Sequence, residues 1–414
     1  MNSFDTGWVR AQFPSLDRTV NGYPVAFLDA PAGSQAPRQV MEAVGDYYQR
    51  SNANTCGAFE TSRSTDTLIA ATRRAMADFL NCAPEEICFG ANMTTLTFAL
   101  SRSIGRTLAP GDEIVVTTLD HDANVAPWRA LEERGVVVCQ ADIRESDCTL
   151  DLDDLRSKVT PRTRLVAVGY ASNAVGTINP VGEVVQMARA AGALSFVDAV
   201  HYAPHGPIDV RTLGCDFLAC SSYKFFGPHQ GVLFGRSDHL RRLAPYKVRP
   251  APDNIPDRWE TGTLSHELLA GITAAVDYLA ELGRRAKPAA TLRRTALLAA
   301  YEAIQEYESG LVRRMIPGLL GIPGVRLYGI SDLRHLSERV GTFGIRMQGH
   351  TPLEMARFLG ERGIFTWDGN YYALNLTERL GVEKDGGLLR IGLVHYNTTE
   401  EVDRLLAALR ELSS

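Results

Sequence analysis

The chain has 414 residues, 45% hydrophobic and 22% charged, an ordinary globular composition with enough length for one large core and a second, smaller one. A formal charge of −5, with no long block of lysine and arginine, gives no general electrostatic reason to bind nucleic acid or an anionic membrane, so a small molecule is the expected partner. The opening "MNSFDTGWVRAQFPSLDRTV" lacks the pattern of a signal peptide, and no stretch of about 18 apolar residues could span a bilayer, so the expected location is the cytoplasm.

In chain order, residues 60–235 alternate between helical periodicity and short apolar runs. "STDTLIAATRRAMADFL" reads as a helix, "EICF" as a strand, "MTTLTFALSRSIG" as a helix, "DEIVVTT" as a strand and "NVAPWRALEERG" as a helix leading into the strand "VVVCQAD". The strand "RLVAVGY", the helix "VGEVVQMARAAG" and the strands "LSFVDAV", "DFLACSS" and "GVLFGR" follow. This alternation predicts an α/β fold with a largely parallel sheet covered on both faces, and a ligand crevice beyond the carboxyl ends of the strands, where Asp198, Asn173 and Lys224 fall. After Thr263 two long helical stretches, "HELLAGITAAVDYLAELGRRA" and "TLRRTALLAAYEAIQEYESGLVRRMI", precede an α+β tail with candidate strands "VRLYG", "VGTFGIRM" and "LLRIGLVHY". Capping boxes begin its two helices, Thr351 with Glu354 and Thr398 with Glu401. The expected division is a segment 1–22 packing on the smaller domain, a large domain 23–280 and a small domain 281–414. Seven scattered cysteines in no zinc-like spacing are expected to be reduced thiols, without a metal site.

Four features carry candidate chemistry. Lys224, just past a buried strand and followed by "FFGP", would sit in apolar surroundings that lower its pKa and leave an amine able to form a Schiff base, as pyridoxal phosphate chemistry requires; a structural, ion-paired lysine is the alternative. Asp198 ends "LSFVD", where a buried carboxylate could keep a pyridine nitrogen protonated, or merely cap a nearby turn. In "FGANMTTLTFAL" a strand runs through a short turn into a helix whose first turn, with Met93 and Thr94, favours a phosphate; simple capping by Thr94 competes. His121, in "LDHDANVAPW", could lay its ring on a flat cofactor or be an ordinary satisfied histidine.

Taken in order, these stretches resemble the class V aminotransferase group of fold-type I pyridoxal phosphate enzymes, most closely the branch that contains cysteine desulfurases and selenocysteine lyases, with kynureninase and isopenicillin N epimerase as relatives. "VAFLDAPAGSQAP", "ASNAVGTINPV", "RWETGTLSHELLAG" and "LLRIGLVHYNTTEEVDRLL" extend the likeness through most of the chain. The resemblance implies a seven-stranded sheet between helices, a smaller α+β carboxy-terminal domain, pyridoxal 5'-phosphate as cofactor, an amino-acid substrate and a homodimer with its active sites at the interface. It makes Lys224 the Schiff-base lysine and general base, Asp198 the partner of the pyridine nitrogen and His121 the ring that stacks on the cofactor. His201, where desulfurases usually carry glutamine, and Asn173 would address the ring hydroxyl or the substrate. Met93, Thr94 and Ser221 would hold the phosphate, with Tyr223 replacing a histidine many desulfurases carry there and Thr263 contributed by the neighbouring subunit. Arg390 would receive the substrate α-carboxylate.

One departure limits the likeness. The desulfurase loop Arg-x-Gly-x-x-Cys-Ala corresponds here to "WDGNYYA", so Trp367 replaces the arginine and Tyr372 the cysteine. A tyrosine cannot form a persulfide, although Cys56 in "NANTCGAFETSR" offers a possible substitute thiol. A desulfurase-like or C–S lyase activity is the leading expectation. A class V aminotransferase or epimerase is the alternative, and a non-catalytic cofactor-binding homologue a weaker one. Tyr371 and Tyr372 fit either a larger or aromatic substrate or plain core packing.

Overall fold

The computed structural model describes residues 4–413. Its centre is a sheet of Ile87–Gly90 (β1), Glu113–Thr117 (β2), Val137–Ala141 (β3), Thr163–Gly169 (β4), Leu194–Asp198 (β5), Phe217–Ser221 (β6) and Gly231–Gly235 (β7). Their order across the sheet is β1-β7-β6-β5-β4-β2-β3. Neighbours from β6 to β3 pair in parallel, whereas β7 runs antiparallel to both β6 and β1. The connection from Ser222 to Gln230 is too short for the crossover helix a parallel neighbour would need. Every residue of β2, β6 and β7 is buried, the pattern of strands covered on both faces.

The covering helices include Arg38–Arg50 (α2), Glu60–Leu80 (α3), Met93–Gly105 (α4) and Val181–Ala190 (α5), after a short amino-terminal helix, Thr6–Ala11 (α1). Asn92, not Thr94, caps α4: its side chain accepts from the Thr95 N–H at 2.8 Å, which leaves the Thr94 side chain exposed. "NVAPWRALEERG" is not one helix. Val125 is non-helical (φ −123°, ψ −59°) and Pro127 has no N–H to donate, so the segment breaks into 3-10 turns around a single α turn, Ala126–Arg129.

His266–Ala286 (α6) and Arg293–Leu320 (α7) match the two long helical stretches. They cross closely at Gly283, where a Cβ would lie 1.8 Å from the Ala296 carbonyl oxygen. The helix α7 serves two cores: Leu297, Ala300 and Ile304 pack with the large sheet, and Leu311, Met315 and Leu319 with a second sheet. That sheet is antiparallel, ordered Val325–Tyr328 (β8), Thr342–Met347 (β9), Leu388–Gly392 (β11), Trp367–Gly369 (β10). Pro352–Glu361 (α8) and Thr399–Leu412 (α9) cover it, and both carry the expected capping boxes. The amino-terminal segment touches both units: Trp8 stacks on Tyr278 of α6 and Arg10 pairs with Glu401 of α9 at 2.9 Å. Among the described residues no helix is long and apolar enough to cross a membrane.

Candidate active site

The carboxyl ends of β4, β5 and β6, the first turn of α4 and the loop 367–372 surround a cavity of about 1260 Å³. Met93, Thr94, His121, Asn173, Asp198, His201, Ser221, Tyr223, Lys224, Tyr372 and Arg390 all line it. Thr263 and Cys56 do not. Both are exposed, while the nearby Glu260 is bound within its own chain by Arg73 at 2.7 Å and the Phe89 N–H at 3.0 Å.

Among the described residues no carboxylate forms a salt bridge with Lys224. Its Nζ donates to the Pro31 carbonyl oxygen and lies 4.7 Å from the centre of the Tyr223 ring. Burial, reinforced by the Arg390 guanidinium, lowers its pKa from 10.5 to about 7, against the pull of Asp198 and Asp29. A neutral amine is therefore available near neutral pH. Capture of an aldehyde by the cofactor-free protein should accelerate as pH rises and level off above about 7, where an unperturbed lysine would keep gaining; stopped-flow absorbance checks this.

Asp198 sits at the end of β5, 7% exposed. It does cap a turn, through the Val200 N–H at 2.9 Å, yet it also faces the cavity. Burial raises its pKa to about 6, with the Val200 N–H and Lys224 opposing. Next to it is an acid the sequence reading passed over, Asp120. Burial pushes its pKa to about 7, Thr117 opposes this and Asp198 adds to it. One oxygen of Asp120 is held by the Thr117 hydroxyl at 2.9 Å, and the other has no partner. Asp29, also passed over, is raised by burial to about 6 beside Arg390 and Lys224. Both acids stand inside quoted motifs, directly before His121 and in "FLDAPAG", but only the tertiary fold brings Asp120 to the cavity lining and Asp29 beside Arg390 and Lys224.

His121 accepts the Ala123 N–H on Nδ1 at 3.0 Å, so a neutral ring carries its proton on Nε2. Burial, with Lys224 and Arg390, lowers its pKa to about 4 and keeps it neutral. Arg390 rises from β11 into the buried floor of the site. Its Nη1 donates to the Asn173 carbonyl oxygen at 3.0 Å, its guanidinium lies 4.1 Å from the Tyr371 ring centre, and its Nε has no partner. No carboxylate among the described residues forms a salt bridge with it, so a surface ion pair does not explain it. Asn173 joins the same assembly by donating to the Tyr371 carbonyl oxygen at 2.9 Å, and its own Oδ1 has no partner.

The loop that carries Tyr372 is strained. Tyr371 and Tyr372 have φ of 56° and 60°, a left-handed conformation costing side-chain-bearing residues roughly 1–2 kcal/mol each. Surrounding bonds impose it: Tyr371 Oη donates to the Leu388 carbonyl oxygen, the Tyr372 N–H to Asn370 Oδ1 at 3.0 Å, and the Asp122 N–H to the Tyr372 carbonyl oxygen at 2.7 Å. Tyr372 is 72% exposed with its ring 5.4 Å from that of His121. It therefore belongs to the rim of the cavity and not to the core.

A family profile described as Aminotransferase class-V matches residues 26–405. The chain belongs to the class V aminotransferase family. It is 34% identical to a cysteine desulfurase of Pectobacterium atrosepticum over 98% of this chain and 97% of that one, and 32% identical to one of Klebsiella pneumoniae over 99% and 98%. Among solved structures, the apo cysteine desulfurase of Thermococcus onnurineus superposes with a TM-score of 0.85 at 28% identity, covering 97% of this chain and 98% of that one. The cysteine desulfurase CsdA of Escherichia coli gives 0.83 at 27%, covering 99% and 98%. This class V family member is thus a pyridoxal phosphate-dependent, cysteine desulfurase-like enzyme of the fold-type I α/β architecture.

The residues present fit that cofactor. An amine with no salt-bridged carboxylate among the described residues stands in the same cavity as a buried acid, and the first turn of α4 lines that cavity too, with the Met93 N–H donating to Ser221 Oγ at 3.1 Å. A Cβ on Gly231 would come within 2.4 Å of the Asn92 backbone, so only glycine lets β7 lie against that turn. Helix amino termini of this kind attract phosphate.

Proposed function

We propose that this enzyme cleaves the Cβ–S bond of cysteine or an S-substituted cysteine, and that the sulfur leaves as a free thiol or sulfide instead of being captured at position 372. The observation that carries this reading is Tyr372, a phenol at the rim where the desulfurase motif has its thiol. Among the described residues, none lining the cavity is a cysteine.

Bound pyridoxal phosphate supplies an electron sink for charge developing at Cα. Arg390 binds the α-carboxylate with its unpaired guanidinium edge, and the free Oδ1 of Asn173 accepts a hydrogen bond from a hydroxyl or N–H of the cofactor or substrate. Asp198 holds a proton at the pyridine nitrogen, and Lys224 anchors the cofactor and then removes the Cα proton as a base whose pKa near 7 suits neutral pH. The neutral His121 ring would pack against the bound cofactor, and with Tyr372, 5.4 Å away, it narrows the entrance to water. The balanced outcome is amino acid plus water giving pyruvate, ammonia and the released thiol. Met93, Thr94, Ser221 and Tyr223 hold the phosphate, and Thr263 of a second protomer completes that end in a cytoplasmic homodimer.

Cysteine and its S-conjugates, given to the cofactor-loaded enzyme, should yield pyruvate, ammonia and thiol in equal amounts, with no sulfur left on the protein. Alanine together with protein-bound sulfur would overturn the release of free thiol and, if lost in Cys56→Ser, would move the sulfur to Cys56. A keto acid that keeps its side chain would indicate transamination, and a change of configuration alone would indicate epimerisation. If no amino acid is consumed, the catalytic reading fails.

A further inference from the structure

His201 is buried, lines the cavity, and has its Nε2 2.9 Å from Thr342 Oγ1. Thr342 begins β9 in the smaller sheet and is itself fully buried. A neutral imidazole has one ring proton to place on either nitrogen. If Nε2 held it and donated to Thr342, the hydroxyl proton would need another acceptor, and among the described residues this hydroxyl has only the one bond. If the hydroxyl donates to Nε2 instead, no buried proton is wasted and Nδ1 carries the ring proton. An unmet buried donor is costly enough to favour the second arrangement by roughly tenfold or more.

Two escapes are closed. Protonating both nitrogens is opposed by burial and by His205, Lys224, Arg390 and His121 around the ring, which hold His201 well below its ordinary pKa. The His205 ring stands edge-on at 5.6 Å, and its Nδ1 is engaged with Glu308 at 2.7 Å, so it does not compete for the Thr342 hydroxyl.

We propose that Thr342 is a positioning residue that locks His201 in the tautomer protonated at Nδ1, giving the cavity a fixed neutral N–H donor on the same strand-end turn as Asp198. Resting on the reading above, that donor suits an anionic oxygen, the cofactor ring hydroxyl or a substrate oxygen. A glutamine at this position would present an amide N–H without help, whereas a histidine needs a partner to choose its nitrogen. With His121 also fixed as a donor, neither histidine presents a free ring nitrogen as a base.

The test is nitrogen NMR of the full-length protein labelled with 15N-histidine, loaded with cofactor and again after its removal. The His201 signals are identified by their loss in His201→Gln. Nδ1 should be protonated and Nε2 bare in both states. In cofactor-free Thr342→Val, nearly the same shape without the hydroxyl, the excess of the Nδ1–H form should fall about tenfold, and Thr342→Ser should restore it. A wild-type ring protonated at Nε2, or a valine variant with an unchanged ring, would overturn the proposal. Should the valine variant fail to fold, the wild-type and serine spectra still decide it. Because the cofactor-free measurement needs no turnover, its failure is distinct from a failure of C–S cleavage.

Discussion

Lys224→Ala is expected to lower turnover by about 10⁴-fold, the upper end of what a positioned acid or base contributes, and to abolish the visible absorption that a lysine-bound cofactor gives. Lys224→Arg should be as inactive, because arginine cannot shed its proton near neutral pH. Small primary amines added to the alanine variant should restore part of the rate, which separates loss of the base from loss of shape. The same substitution has a predicted effect on stability without cofactor. The folded pKa of about 7 lies below the ordinary 10.5, so between these values the unfolded chain binds more protons and wild-type stability rises with pH. Below pH 7 the buried charged amine exacts its full cost. The alanine variant should therefore exceed wild type in thermal stability most below pH 7, and the gap should close towards pH 10.5. Activity retained in Lys224→Ala, or a stability gap that widens with pH, would contradict this account of the amine.

The strand and helix pattern from residue 60 to 235 was legible because burial on both faces writes continuous apolar runs and covering helices write a 3.6-residue period. Lys224 and Asp198 were legible for a related reason. Asp198 ends such a run and Lys224 lies in the turn just past the next one, and adjacent parallel strands bring their carboxyl ends to one edge. Arg390 was not legible by those means, since it lies on a different sheet and only motif resemblance pointed to it. Its partners, the Asn173 carbonyl and the Tyr371 ring, arise from tertiary contact. Asn92 displaced Thr94 as the cap of α4 because two candidate caps stood two residues apart and local sequence does not choose between them. The left-handed backbone at Tyr371 and Tyr372 had no local signal at all. Neither residue favours that conformation, and bonds to Asp122, Asn370 and Leu388 impose it. The bond between Thr342 and His201, 141 residues apart in sequence, was hidden for the same reason.

Arg390→Ala is expected to lower kcat/KM for every α-amino acid substrate by roughly 100-fold, corresponding to about 3 kcal/mol for a charge-assisted carboxylate interaction. The effect should fall mainly on KM, because the carboxylate is held alike before and during reaction. Two variants separate charge from packing. Arg390→Lys keeps a cation but loses the planar fork, and should recover only about tenfold of the loss. Arg390→Met fills much of the volume and should behave like alanine. The guanidinium also lies on the Tyr371 ring, so truncation could loosen the strained loop and impair activity indirectly. A substrate amine without a carboxylate tests this: it should react at the same low rate with wild type and all three variants if Arg390 acts through the carboxylate. If the amine slows as much as the amino acids do, Arg390 supports the Tyr371–Tyr372 loop instead. Full activity of Arg390→Met on amino acids would remove the residue from substrate recognition altogether.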